Sequence, residues 1–414
     1  MDLPSLILLA ATFGAFFMAF SLGANDVANS MATPVSARAL TLRQAVILSS
    51  LLNFLGAVFL GSQVATTIAR GIISPESVPD QNIFMLGMFA TLLSSGLWVL
   101  IATYTALPVS STHSIVGSLM GFGLATGGPA VVQWSAILSI VASWLLSPLI
   151  CAAAAFVIFF HIRKTILFNR EMLRAALRWM PFWIALTVVS VVLSLCFKTP
   201  FGKALHLSGW AGISLAAGAA VVTVLILRAV LPKLLARGKA GDSPARLVDG
   251  LFRRMQVGTA CYVALAHGAN DVSNAVGPVV AIYFIATTGS MAGVMEIPFW
   301  LLALGGGGIA AGTLLMGRKV MDTVGERITQ MNNSRGFVVA LSSAATVLIA
   351  SNMGLPISTT HATVGSVVGV GLARGFYAVD FRVLARIFLF WILTLPISAG
   401  TCIAIFYLLR LIFL

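Results

Sequence analysis

Asp26 and Asp271 are the only carboxylates of this chain that lie where a lipid core should be. Each sits in the same polar phrase, Gly23-Ala24-Asn25-Asp26-Val27-Ala28-Asn29 and Gly268-Ala269-Asn270-Asp271-Val272-Ser273-Asn274. An ionisable group at bilayer depth costs at least ~2.5–3.5 kcal/mol on insertion scales, so it marks an ion site more often than decoration. On a helix, Asn25, Asp26 and Asn29 bring their side-chain oxygens to neighbouring parts of one face, and Asn270, Asp271 and Asn274 repeat the set. Hard oxygen ligands of this kind suit a small hard cation. The competing structural reading is that each Asp pairs with hydroxyls or backbone and only binds helices together.

A second phrase is also doubled. Leu107-Pro108-Val109-Ser110-Ser111-Thr112-His113-Ser114-Ile115-Val116-Gly117-Ser118 returns as Leu355-Pro356-Ile357-Ser358-Thr359-Thr360-His361-Ala362-Thr363-Val364-Gly365-Ser366, identical at eight of twelve positions. Its offset of 248 nearly equals the 245 of the Asn-Asp phrase, which points to a duplicated unit. Hydroxyls placed just after a Pro, at the start of a half-helix, lie beside unpaired N–H groups at a partly positive end that favours an anion. Ser110, Ser111, Thr112, Ser358, Thr359 and Thr360 would thus ring one tetrahedral oxyanion with neutral donors; helix capping and tight packing is the alternative. His113 and His361 follow these clusters and could be proton-linked, or could simply pack. No Lys or Arg lies close in sequence to either phrase. A phosphate or sulfate there would face two carboxylates, and Na⁺ or a proton at each Asp would remove the repulsion and couple the two fluxes.

The elements that must position these residues are membrane spans. Of 414 residues 59% are hydrophobic and 9% charged, and the mean hydropathy is +1.01, far from a soluble domain. The expected fold is an all-α polytopic membrane protein. Ten apolar segments run over roughly 4–35, 44–68, 83–106, 130–160, 180–197, 208–231, 256–286, 293–316, 336–353 and 383–413. The Leu-Pro stretches at 107–127 and 355–373 read as broken helices, because Pro removes a backbone donor and only a shielded cavity tolerates irregular backbone at depth.

Basic residues set the orientation. Five clusters, at Arg38 and Arg43, Arg163 to Arg178, Lys233 to Arg254, Arg318 to Arg335 and Arg374 to Arg386, alternate with segments around Glu76 and Asp80, Lys198 and Lys203, and Glu296. All five fall on one side only if each Leu-Pro stretch counts as a crossing. About twelve crossings follow, with both termini outside and two inverted-topology repeats. Residues 1–231 form the first repeat plus scaffold helices, 232–255 a cytoplasmic linker loop, and 256–414 the second repeat. The net charge of +13 belongs to these loops rather than to a basic face, so nucleic acid is not an expected partner. Cys151, Cys196, Cys261 and Cys402 are too scattered for a zinc or redox site. Gly305 to Gly308 lacks the Gly-Lys-Ser/Thr of a nucleotide loop and reads as close helix packing.

With these motifs the chain resembles, over essentially its whole length, the inorganic phosphate transporter (PiT) family of secondary carriers. The resemblance implies symport of inorganic phosphate with Na⁺ or H⁺ by an elevator-like or rocking motion. It also implies cation sites at Asp26 and Asp271 with their Asn neighbours, and phosphate sites at the Ser/Thr phrases. Two positions depart from sodium-coupled animal members, which carry Glu where this chain has Asn53 and Ala340; phosphate is therefore more secure than its driving ion. The short middle loop matches a compact bacterial-type form in an inner membrane, a plastid envelope being the other setting. No cofactor is expected beyond the co-transported ion. The lipid bilayer is the expected surrounding, and a homodimer is compatible with a carrier that needs a fixed frame.

Two alternatives stay open. A sulfate permease of the same fold would bind an anion of the same shape. An intramembrane hydrolase could use two Asp residues, or Ser111 with His113, although residues two apart on a helix face different ways.

Overall fold

The computed structural model describes residues 2–61, 72–73, 78, 80–198, 202, 208–236, 242–291, 297–352 and 357–414. The expected Leu355-Pro356 break and the loop residues Glu76, Lys203, Gly238, Gly241 and Glu296 lie outside them. Among the described residues the chain is all helical, without a β-strand. Its helices are α1 (Leu3–Ser36), α2 (Leu42–Leu60), α3 (Gln81–Tyr104), α4 (Ser111–Gly127), α5 (Trp134–Ile162), α6 (Met172–Lys198) and α7 (Gly209–Ala236). They continue with α8 (Pro244–Thr288), α9 (Phe299–Met316), α10 (Arg318–Asp322), α11 (Asn333–Asn352), α12 (Thr359–Arg374) and α13 (Phe381–Phe413). Eight of them, α1, α2, α3, α5, α6, α7, α9 and α13, are long and apolar enough to cross a bilayer. The 17-residue α4 and 16-residue α12 stand at the lower limit of about 17 residues for a span.

Glycines fix how the long helices meet. A Cβ on Gly23 would lie 1.9 Å from the Ile309 carbonyl oxygen, and one on Gly312 would lie 1.8 Å from that of Phe20, so α1 and α9 touch backbone to backbone. Gly56 and Gly268 bring α2 and α8 together in the same way, at 2.0 Å from the oxygens of Leu265 and Asn53. This contact explains the Gly-rich stretch of α9 as packing surface. The order of contacts also gives direction. Along α2 and α8, Asn53 meets Gly268 and Gly61 meets Val272, so these helices run parallel. Because α2 turns back from α1 after only residues 37–41, α8 runs opposite to α1. The two Asn-Asp helices thus point in opposite directions.

The helices that follow the two Leu-Pro phrases each pack back along the helix before them. In the first, α4 returns along α3: Ser95 Oγ donates to Ser114 O (3.3 Å) and Ser118 Oγ (3.0 Å), and Phe122 lies edge-on to Phe84 near the start of α3. The same contacts recur 248 residues later, where Ser343 Oγ donates to Ala362 O (3.3 Å) and Ser366 Oγ (2.9 Å) between α11 and α12. The hairpins are exchanged between supports. Helix α4 rests on α13, where Gly117 and Gly121 face the carbonyls of Leu395 and Ala399, while α12 rests on α5 with Gly365 and Gly369 facing those of Pro148 and Ala152.

Hydrogen bonds draw all five basic segments to one end of the molecule. Arg253 Nε donates to Ala39 O, Asn333 Nδ2 to Asp249 Oδ2, Arg374 Nη1 to Gln330 O and Arg163 Nη1 to Ala373 O. Of the linker expected at 232–255, residues 244–255 are the opening turns of α8, begun by the Ser243 cap and a Pro at the first helical position. Helices α6 and α7 pair with each other beside this core, and α7 turns Ile213, Val221, Leu225 and other apolar side chains outward, as a lipid-facing helix does. The four cysteines are free.

Candidate functional site

The tip of the first hairpin is held open by Asn25. Its Nδ2 donates to Thr103 Oγ1 (3.0 Å) and Leu107 O (3.2 Å), and its Oδ1 accepts from Val109 N (3.2 Å). Trp391 Nε1 donates to Pro108 O from the far side (3.2 Å). Backbone groups that a helix would have satisfied internally are thus satisfied by two side chains, which is what lets the chain stay unwound at this depth.

Beyond the break, Ser110 caps α4 by accepting from His113 N (3.2 Å), and Ser358 caps α12 by accepting from His361 N (3.3 Å). The backbone angles of the two caps nearly coincide, at φ −86°, ψ 114° and φ −83°, ψ 118°. The N–H groups of Ser111, Thr112, Thr359 and Thr360 occupy first turns, where no intrahelical acceptor exists. All six Ser/Thr residues are buried. His113 and His361 bring the two first turns together, their ring centroids 4.5 Å apart. Each ring lies against a tryptophan at 3.6 Å, His113 on Trp144 and His361 on Trp391. Each Nδ1 is in contact with the backbone carbonyl of the other tryptophan, at 3.3 and 3.0 Å.

The two doubled phrases meet across the halves of the chain. Asn29 Nδ2 donates to Thr360 Oγ1 (3.0 Å) and Asp26 Oδ1 (3.3 Å), and the Thr360 hydroxyl lies 3.3 Å from Asp26 Oδ1 and 3.2 Å from Val109 O. Reciprocally, Asn274 Nδ2 donates to Ser111 Oγ at 3.5 Å.

The two Asp residues are nevertheless not equivalent. Asp26 Oδ2 and Asn29 Oδ1 are buried oxygens with no hydrogen-bond partner. Asp271 has both oxygens engaged, Oδ2 by His267 Nδ1 at 2.8 Å and Oδ1 by Asn270 Nδ2 at 3.1 Å. Orphaned acceptor oxygens at this depth are what a cation would satisfy. His267 escaped the sequence reading, although it stands one helical turn before Asp271 where the first half has Leu22. Thr103, Trp144 and Trp391 escaped it as well, since only the folded chain brings them to the hairpin tips. Asn53, where animal relatives carry Glu, is buried with its Nδ2 on Ser49 Oγ (2.8 Å), and its backbone abuts Gly268 of the second phrase.

Residues 22–402 match the phosphate transporter family. The chain belongs to that family. Among solved structures, "The sodium-dependent phosphate transporter" is 43% identical and superposes with a TM-score of 0.90, covering 98% of this chain and 100% of that one. A Pyrococcus furiosus protein that bears the name of phosphate permease is 44% identical over 401 residues, 97% of this chain and 95% of the relative. The chloroplastic inorganic phosphate transporter 2-1 of Arabidopsis thaliana is 37% identical over 415 residues, 95% of this chain and 70% of the relative. Membership in this family of carriers makes the chain a multi-pass membrane protein and not an enzyme. The hydrolase reading is thereby set aside.

Proposed function

We propose that this phosphate transporter family member is a cation-coupled symporter of inorganic phosphate, with Na⁺ as its first candidate ion. The observation that carries this reading is the meeting of Asp26 and Asn29 with Thr360. Two unpartnered oxygens fit for a cation lie beside the first turn of a half-helix fit for an anion. Ser110, Ser111, Thr112, Ser358, Thr359 and Thr360 would hold phosphate through hydroxyls and free N–H groups. Asn25, Asp26, Asn29, Asn270, Asp271 and Asn274 would build the cation sites, with Asn25 acting through the hairpin tip it holds. His113 and His361 would fix the two first turns against each other, each Nδ1 resting on a tryptophan carbonyl and each ring on a tryptophan. The name of the 43% identical solved structure favours sodium despite Asn53 and Ala340.

Coupling follows from charge. Asp26 and Asp271 repel an anion between them until cations neutralise them, so phosphate binds well only after the cation. The opposite courses of α1 and α8, and the basic segments gathered at one end, support an inverted pair of halves with both termini outside a cell membrane. Transport by purified protein in liposomes, under Na⁺ and pH gradients imposed separately and with phosphate, sulfate and arsenate compared, tests the reading. Phosphate accumulation driven by the Na⁺ gradient is expected. Accumulation under neither gradient would sink symport, and preference for sulfate would replace the substrate.

A further inference from the structure

At the basic end of the molecule, where α12 gives way to α13, lies a cavity of about 670 Å³. Arg327, Arg374 and Arg382 line it together with Glu326, Tyr377 and Asp380. Arg374 Nη1 donates to Thr329 Oγ1 (3.2 Å) and Gln330 O (3.3 Å), and Arg335 Nη1 donates to the same Gln330 oxygen (2.9 Å). Two like charges therefore converge on one carbonyl. Arg335 Nε is buried and has no partner. Among the described residues no ion pair engages Arg327, Arg335, Arg374 or Arg382, although two carboxylates border the cavity. Asp380 is already occupied, since its Oδ1 caps α13 by accepting from the N–H groups of Arg382 and Val383.

The rim of this cavity is aromatic. Phe376 stacks on Phe381 with centroids 4.5 Å apart, and both are exposed, as is Tyr377 beside them. Exposed aromatic rings next to arginines are the signature of a surface at the level of lipid headgroups, where a ring sits with one end apolar and the other wet. A guanidinium fork matches the oxygens of a phosphate group, and basic pockets between membrane helices on the cytoplasmic side take anionic headgroups. We propose that Arg374 and Arg382 bind the phosphate group of an anionic membrane lipid, with Arg335 adding its charge from behind the Gln330 carbonyl it shares with Arg374, and with Phe376, Tyr377 and Phe381 lying along its acyl boundary. The site is at the far end of α12 from Thr360. A lipid bound there would tie α12 to the α10–α11 connection without touching the transport site.

Free phosphate shares the headgroup's chemistry, so the test separates the two. The full chain is placed in nanodiscs of phosphatidylcholine alone or with phosphatidylglycerol, and its melting temperature and the lipid it retains in native mass spectrometry are measured. Phosphatidylglycerol is expected to raise the melting temperature of the unsubstituted protein and to leave a retained adduct. In R335Q/R374Q the shift should vanish and retention should fall at least about tenfold, whereas R174Q, at an exposed arginine outside the cavity lining, should behave as the parent does. R382Q serves if the double variant does not fold, since among the described residues no hydrogen bond of the Arg382 side chain holds the fold together. An equal phosphatidylglycerol effect in parent and R382Q or R335Q/R374Q overturns the proposal. So does a shift that inorganic phosphate reproduces in phosphatidylcholine discs and that the same substitutions abolish, because the pocket would then take the free anion.

Discussion

The same seven-residue phrase builds two different carboxylate sites. Around Asp26 the contacts come from the opposite half of the chain, through Thr360, as well as from its own helix, through Asn29, and Asp26 Oδ2 and Asn29 Oδ1 are left over. Around Asp271 they come from its own helix, through His267 and Asn270, and its carboxylate has no oxygen left over. A duplicated motif thus keeps its backbone setting while one residue outside it, Leu22 in one copy and His267 in the other, changes which groups engage its Asp. The difference teaches that internal symmetry fixes position, whereas chemistry is decided by the neighbours one turn away.

The largest expected effect follows from that contrast. Asp26→Asn should lower phosphate uptake by about 100-fold or more, the scale of removing a buried charged partner, and Asp271→Asn should lower it less because both oxygens of that carboxylate already have partners in His267 and Asn270. Equal losses, measured as initial rates of radiolabelled phosphate uptake in proteoliposomes, would erase the distinction between the two sites. Next in size, His267→Leu copies the first half's neighbour into the second. Removing a group that orients a ligand costs about 10–100-fold in ion affinity, so the KM for Na⁺ should rise about tenfold with a smaller change in maximal rate. An unchanged KM would mean that Asp271 does not bind the ion.

A smaller effect is expected for the hydroxyls that join the halves. Thr360→Val removes contacts of 3.0 to 3.3 Å and should raise the KM for phosphate about fivefold, the worth of roughly 1 kcal/mol. Ser111→Ala removes a hydroxyl whose contact with Asn274 is longer, at 3.5 Å, and should change it less. If Ser111→Ala proves the more damaging, the second site is the tighter one. The smallest difference should come from glycine. Gly23→Ala and Gly268→Ala each force a Cβ to within 2.0 Å of a carbonyl, and each should cost about 1–3 kcal/mol of overpacking to a similar degree in thermal unfolding. Equal losses would show that the two halves share a fold even where they differ in function.

Much of this was legible in the residues. Helical spans followed from composition, and the gathering of basic segments followed from the spacing of Arg and Lys between apolar runs. The doubled Ser/Thr phrase located both half-helix starts, because Ser at an N-cap after Pro has few other roles. What the sequence could not reveal is which half each phrase serves. Thr360 is 334 residues from Asp26, and nothing in either phrase encodes that distance. The role of Asn25 was hidden for a related reason: an amide that could ligate an ion could equally hold an unwound backbone, and only Val109 and Leu107 decide which. His267 was visible at helical spacing, but a single imidazole beside a motif carries no label until its nitrogen is seen 2.8 Å from a carboxylate.

The exchange of supports bears on how such a chain is made. Helix α4 must rest on α13, which is synthesised long after it, so the first Ser/Thr cluster stays unsupported until that later segment has emerged. A nascent chain halted before Phe381 would carry α4 without its bed, and an exposed glycine face at Gly117 and Gly121. A premature stop just before Phe381 should therefore be as harmful as an early one, and membrane quality control would meet an open surface rather than a half-working carrier.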